Sequence, residues 1–382
     1  MNTITMTPQE ESLFLALLRT ALWKESFEPS KYKSARWNVI VEHLMRQSIP
    51  ALGAEVALKY KDELNIPQDQ VLMLTKLVGY VFKENLLQNE DLVKVFTHLQ
   101  QNSFHPILLK GQCNASYYPN PFTRACGDID VYIGPSDYDK ARICIDGLIG
   151  KKASTEAKEI IKDYEFHFGH SKVELHRIAL EWVSPFISKK GNAFIAEWLH
   201  GIKSLESLSI KGYNVSVPHV QFNVLYVFMH LWHHLVEWGL GLRQIMDWTM
   251  LLHSAYKNQL IDIQRLYSDL QNLGLLKPWQ LVGTVAVEKL GLPKEEFPFY
   301  NEKLLSKLPC LWNLLLEEGN FGQYGERVGG SNSPLVVAKK VLGIIRRFGR
   351  LCKLTPRYAL YSLYFFTYTS LQKIFGYYYP KH

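Results

Sequence analysis

The chain has 382 residues, 47% hydrophobic and 21% charged, which excludes fibrous and disordered classes, and its length favours two or three packed units over one core. The formal charge of +7 suits a phosphate-rich partner without requiring one. Five scattered cysteines (Cys113, Cys126, Cys144, Cys310, Cys352) contain no CxxC pair, which argues against a disulfide framework or a cysteine zinc site and fits a reducing cytosol.

The opening MNTITMTPQEESLF lacks the basic and then apolar run of a signal peptide, so a cytoplasmic protein is expected. From Pro8 to about Gln100, apolar residues recur at three- and four-residue steps (Leu13, Leu17, Leu18; Ile40, Leu44; Val71, Leu74, Leu77, Val81), and 1–100 is read as helical. Short β-like runs then follow at His105–Lys110, Asp128–Ile133, Tyr164–Phe168 and Lys172–His176. Helical stretches over Gly111–Tyr118 and Ser136–Leu148 lie among them, and Gly169, His170 and Ser171 join the last two runs as a hairpin would. Residues 101–182 thus form a mixed α/β core.

Helical periodicity returns from about Pro218 through Val220–Glu237, Leu242–Ala255 and Ile261–Leu273, inside a C-terminal helical region placed at 183–328. Gly329 to Ser333 is read as a flexible linker to a basic, aromatic tail, 334–382. In that tail Lys339, Lys340, Arg346, Arg347, Arg350, Lys353 and Arg357 interleave with apolar residues, the pattern of a basic amphipathic helix. The uncharged run Tyr358 to Gln372 falls short of the ~20 residues that span a bilayer. Packing of the tail on the rest of the protein is the favoured reading, with peripheral contact to an anionic membrane through 334–379 as the alternative. The expected class is α+β, a small mixed sheet flanked by N- and C-terminal helical regions.

Asp128 and Asp130 stand two apart at the start of a β-like run, so on a strand they share a face with Cα atoms roughly 6–7 Å apart, close enough for both carboxylates to reach one or two hard cations. Ile129, Val131 and Ile133 take the opposite face. An acid pair alone also fits a solvated edge strand, so its surroundings carry weight. Upstream, Lys110-Gly111 closes an apolar strand at the start of a helical stretch, where a glycine lets backbone N–H groups approach a phosphate, and Lys110 and Arg124 add charge. Paired metals need a third carboxylate. Glu174 is the candidate, on the face of its run opposite Val173 and Leu175, with Asp163 and Glu165 as weaker ones. His176 shares the Glu174 face and can act as a base or bind a carboxylate.

His230 and His234 have metal-ligand spacing on a helix, but Leu231 stands where an HExxH motif has glutamate, so packing or substrate contact is the expected role. Arg243 and Asp247, four apart, read most simply as an intrahelical ion pair worth about 0.3–0.5 kcal/mol. No GxSxG, Walker A or GxGxxG pattern supports a hydrolase, P-loop or Rossmann reading.

The ordered set Ile107-Leu108-Leu109-Lys110-Gly111, Tyr117-Tyr118-Pro119, Arg124, Gly127-Asp128-Ile129-Asp130 and Val173-Glu174-Leu175-His176 resembles the uncharacterised bacterial nucleotidyltransferase family of the polymerase-β-like superfamily. The run Gly241 to Asp247 is similar to that family's C-terminal helical signature, which implies as an alternative that Arg243 and Asp247 reach the cleft, and the resemblance spans about Thr7 to Leu273. It implies an NTP donor, Mg²⁺ (or Mn²⁺), and transfer of an NMP, AMP being favoured, to a small-molecule, sugar or protein acceptor. Asp128, Asp130 and Glu174 would then be catalytic metal ligands, and Lys110, Gly111 and Arg124 would bind the nucleotide. Better-known superfamily members carry Gly-Ser at the phosphate turn, where this chain has Lys110-Gly111-Gln112. The alternative is a non-catalytic binding module on the same fold, antitoxin-like or an assembly factor, against which the intact acids argue. No specific nucleic acid partner is expected.

Overall fold

The computed structural model describes residues 5–151, 163–180, 185–200, 205–323 and 334–364. The chain enters helix α1 (Pro8–Trp23) through a reciprocal cap, in which Thr7 Oγ1 accepts from the Glu10 amide while the Glu10 carboxylate accepts from the Thr7 amide. Two short helices, α2 (Trp37–Arg46) and α3 (Pro50–Lys59), lead to α4 (Gln68–Gln101), which is about 50 Å long at 1.5 Å per residue.

Among the described residues, six strands form one mixed sheet: β1 (Ile107–Leu109), β2 (Ile129–Tyr132), β3 (Asp163–Phe168), β4 (Ser171–His176), β5 (Leu205–Ile210) and β6 (Tyr213–Pro218), in the order β3-β4-β2-β1-β6-β5. β1 runs antiparallel to β2 and parallel to β6, β2 runs parallel to β4, and the outer pairs are antiparallel hairpins. Helix α5 (Gly111–Ala115) follows β1, α6 (Tyr138–Leu148) separates β2 from β3, and α7 (Pro185–Leu199) precedes β5.

Strand alternation divides the interior. Leu108, Ile129, Val131, Val173 and Leu175 face α4 and α6, where Leu92, Val95, Phe96, Leu99, Ala141 and Ile145 complete one core. Ile107, Leu109 and Tyr132 face the other way into a larger core built with α1, α8 (Val220–Glu237), α9 (Leu242–Lys257), α10 (Ile263–Asn272), α11 (Leu276–Glu288) and α12 (Leu308–Glu318). Helix α8 is buried from Val220 through Met229, a stretch apolar but for Gln221 and Asn223.

The expected α+β class is the observed one. The β5–β6 hairpin is an addition, lying where the sequence reads as helical. Lys211 and Gly212 turn it with φ values of 52° and 78°, the two positive φ angles of a type I′ turn. Its edge strand, Leu205–Ile210, splits its polar residues between both faces, Glu206 on one and Ser207 and Ser209 on the other, which weakens the period-2 signal. The helix expected over Gly111–Tyr118 ends at Ala115, because Tyr117 and Tyr118 donate to carbonyls three residues back and the chain turns away. The linker Gly329–Ser333 lies outside the described residues, as does the end of the run to Gln372. The tail forms α13 (Pro334–Leu354) and a helical stretch, 356–364; Leu351, Leu354, Tyr358 and Ala359 are buried against the larger core. No described helix is long and apolar enough to cross a membrane.

Two helical glycines test the packing. A Cβ at Gly283 would lie 2.1 Å from the Phe297 ring, whereas one at Gly79, on the exposed side of α4, meets nothing within 4 Å. Gly79→Ala should therefore stabilise by about 0.5–1 kcal/mol through helix propensity alone. Gly283→Ala should destabilise by about 1–3 kcal/mol because overpacking outweighs the same gain. Urea unfolding of the two variants reads opposite shifts.

Candidate active site

The parallel register of β2 and β4 sets Asp130 beside Glu174, and the antiparallel register of β1 and β2 sets Leu109 beside Asp130, so Lys110 emerges next to the same point. Asp130 is 3% exposed. Its Oδ1 accepts from Lys110 Nζ at 2.9 Å and from His176 Nε2 at 2.8 Å. The other ring nitrogen of His176 donates to Asp163 at 2.6 Å. With both nitrogens donating to carboxylates the ring is an imidazolium. Lys172 bridges Glu174 at 2.7 Å and Glu165 at 3.1 Å.

These contacts set the protonation states. Burial pushes the Asp130 carboxyl up, but the Lys110 charge and the His176 hydrogen bond outweigh it and hold the group well below the usual carboxylate range. Burial opposes the Lys110 ammonium in the same way, and Asp130 carries it above its ordinary value. His176 loses to burial and gains more from Asp130 and Asp163, ending at about 9. Glu174 moves the other way. Burial and then the charges of Asp128 and Asp130 raise it to about 7.

Asp130, Glu174 and His176 bring one ligand atom each to within 4.8 Å of one another, and they would form a metal-ligand set once His176 gave up its Nε2 proton. Asp128, just before β2, flanks this cluster closely enough to raise Glu174. All these groups line a cavity of about 630 Å³. Across it stand His230, His234, Glu237 and Trp238 from α8 and its end, with His230 Nε2 3.3 Å from Lys110 Nζ and 2.9 Å from His234 Nε2.

The loop carrying Arg124 to Asp128 is held from both sides. From α4, Asn85 Nδ2 donates to the carbonyls of Phe122 and Arg124 at 3.0 and 2.9 Å, and Gln88 Nε2 to that of Gly127 at 2.7 Å; Gln112 ties both amides together. From α9, Asp247 takes Arg124 in a two-pronged pair at 2.8 and 2.7 Å and accepts from Tyr118 Oη at 2.8 Å. Asp247 thus serves Arg124 rather than the expected intrahelical partner Arg243, whose Nη1 donates to the Ala125 carbonyl at 3.1 Å instead. The fork geometry of guanidinium and carboxylate, with a tyrosine added, outcompetes a one-turn helix pair worth a few tenths of a kcal/mol.

Every expected site residue lines this cavity: Lys110, Gly111, Arg124, Asp128, Asp130 and Glu174. Lys110 and Gly111 both adopt left-handed φ values, 48° and 40°, a strained turn of the kind that clusters at functional sites. Sequence reasoning missed Asn85, Gln88 and Lys172, and it quoted Tyr118 in the Tyr117-Tyr118-Pro119 run without assigning it the bond to Asp247. The first two could have been found as a buried amide pair one turn apart on a helix whose same face is apolar.

The family model for an uncharacterised nucleotidyltransferase matches residues 33–291, roughly two thirds of the chain. The chain belongs to this family. No curated protein and no solved structure matches it. For a nucleotidyltransferase of this family the matched stretch runs from before α2 to just past α11, so it contains all six described strands and the α8–α9 wall, while α12 and α13 lie outside it.

Removing one partner of the buried Arg124–Asp247 pair should show its structural weight. Asp247→Ala leaves Arg124 uncompensated and should cost about 3–5 kcal/mol in chemical unfolding, whereas Arg124→Met/Asp247→Leu should recover most of the loss.

Proposed function

We propose that the cavity transfers an NMP, AMP by preference, from an NTP to a small-molecule, sugar or protein acceptor, with Asp128, Asp130 and Glu174 holding Mg²⁺ or Mn²⁺. The observation that carries this reading is the convergence of the three carboxylates, one on β4 and two at the start of β2, beside a half-buried lysine in one cavity. Oxygen donors of this kind suit hard divalent cations. Such an ion would neutralise charge on the phosphates and steady the attacking and leaving oxygens.

The chain's own groups have separable tasks in this reading. Lys110, fixed by Asp130, presents a permanent positive charge to the phosphates, and the glycine after it keeps the turn free of a side chain. Arg124 acts through the loop, since its guanidinium is already engaged by Asp247. Half-buried Arg243, at the same rim, adds a second cation. His230 and His234 are the polar groups opposite the acids that an acceptor hydroxyl would meet. Family membership supports the reaction class, and the intact acid pair, with Asp130 buried, speaks for catalysis rather than a binding module.

Purified protein with Mg²⁺ and each labelled NTP should label a component of cell extract, and Asp128→Asn/Asp130→Asn should reduce labelling by about 10²–10³-fold. Equal silence of wild type and variant with all four NTPs would sink the proposal. Because Glu174 titrates at about 7, a bound ion competes with its proton. Mn²⁺ affinity, followed by electron paramagnetic resonance, should rise about tenfold per pH unit below that value and level off above it. Glu174→Gln should flatten the profile.

A further inference from the structure

Every Asp and Glu lies at or before Glu326, whereas ten of the 43 Lys and Arg residues follow it. The preceding chain therefore holds 33 basic against 36 acidic residues, and the entire net positive charge belongs to the C-terminal segment. Where described, this segment sorts its side chains onto two faces. Arg347 is buried, donating to the carbonyls of Leu235 and Val236 at the end of α8 and pairing with Glu318, while Leu351, Leu354 and Tyr358 pack inward. The outward face carries Leu342, Ile345, Leu360, Leu363 and Tyr364, 43–61% exposed, beside exposed Lys353 and Arg357. Soluble surfaces scatter such groups singly, whereas five stand here within 23 residues of the chain.

Next to this face a second cavity of about 780 Å³ has apolar walls that include Leu270, Leu281 and Leu354, and its charged lining residues are Lys277, Lys307 and Arg357, all basic. We propose that α13 and 356–364 dock the protein on an anionic bilayer, the apolar side chains entering the acyl boundary and the cations meeting lipid headgroups. Helices of this composition lie in the interface, where each added basic residue near an anionic surface strengthens binding about fivefold. A nucleic acid would use the cations but leave the five apolar groups in water, so the bilayer is the better match.

Flotation of the full chain with vesicles of phosphatidylcholine, alone or mixed with phosphatidylglycerol, tests this. The protein should float with the mixed vesicles and not with the neutral ones. Lys353→Gln/Arg357→Gln should weaken binding by about 20-fold at low salt. Ile345→Ser/Leu360→Ser/Leu363→Ser should weaken it at least as much while leaving the unfolding midpoint unchanged. The proposal is overturned by absence of flotation with anionic vesicles or by equal flotation of both variants. Displacement by inorganic phosphate at matched ionic strength, or single-stranded RNA binding that the triple serine variant retains in full, would overturn it as well.

Discussion

Asp130 occupies an interior strand of the sheet with almost no access to water, and the arrangement around it answers the cost of that burial. An ion withdrawn from water loses several kcal/mol of hydration even after the protein relaxes, while each charged hydrogen bond returns about 1.5–3 kcal/mol. One partner is too few. Two are present, Lys110 from the end of β1 and His176 from the end of β4, and these are the strands on either side of β2. Strand order therefore decides the charge balance, and the charge balance holds the acids where a divalent ion can meet them. Asp163 extends the chain of compensation by one more step, locking the imidazolium from behind.

The cavity is an assembly of distant parts. Its floor is the sheet, its far wall is α8, and its rim loop is suspended between the amides of α4 and the carboxylate of α9. No single segment of the chain contains a complete site. The sheet and α8 supply most of the described groups that face the acids, and the rim loop is pinned by two helices, a condition for holding reactants at fixed geometry.

Much of this was legible in the linear chain because strand alternation is local. In Asp128 to Tyr132 and in Lys172 to His176, acids and histidine fall on one parity and aliphatic residues on the other, so the face opposite the core could be read before any pairing was known. The strained turn at Lys110-Gly111 was visible through its glycine. Pairing was not legible, since nothing local states that β2 lies between β1 and β4 rather than beside β3. For the same reason Asp247 was assigned to Arg243, its neighbour one turn away, when its partner was Arg124 across the fold. Lys172 could not be distinguished from a solvated hairpin lysine without knowing that Glu165 and Glu174 share its register neighbourhood. The β5–β6 hairpin escaped because its edge strand has no need of the strongly apolar alternation that marks a buried one.

Arg124 and Asp247 stand 123 positions apart, and that interval has a meaning in time as well as space. At about 5–20 residues per second, synthesis leaves Arg124 waiting roughly 6 to 25 s for its counter-ion. For most of that interval α8, residues 220–237, is incomplete, so the sheet's acidic face has no far wall and the cavity is open. A ligand of the cavity could therefore stabilise the chain only once α8 and α9 were in place. The amides of α4, made earlier than the loop they hold, are the only restraints described here that are ready when the loop leaves the ribosome.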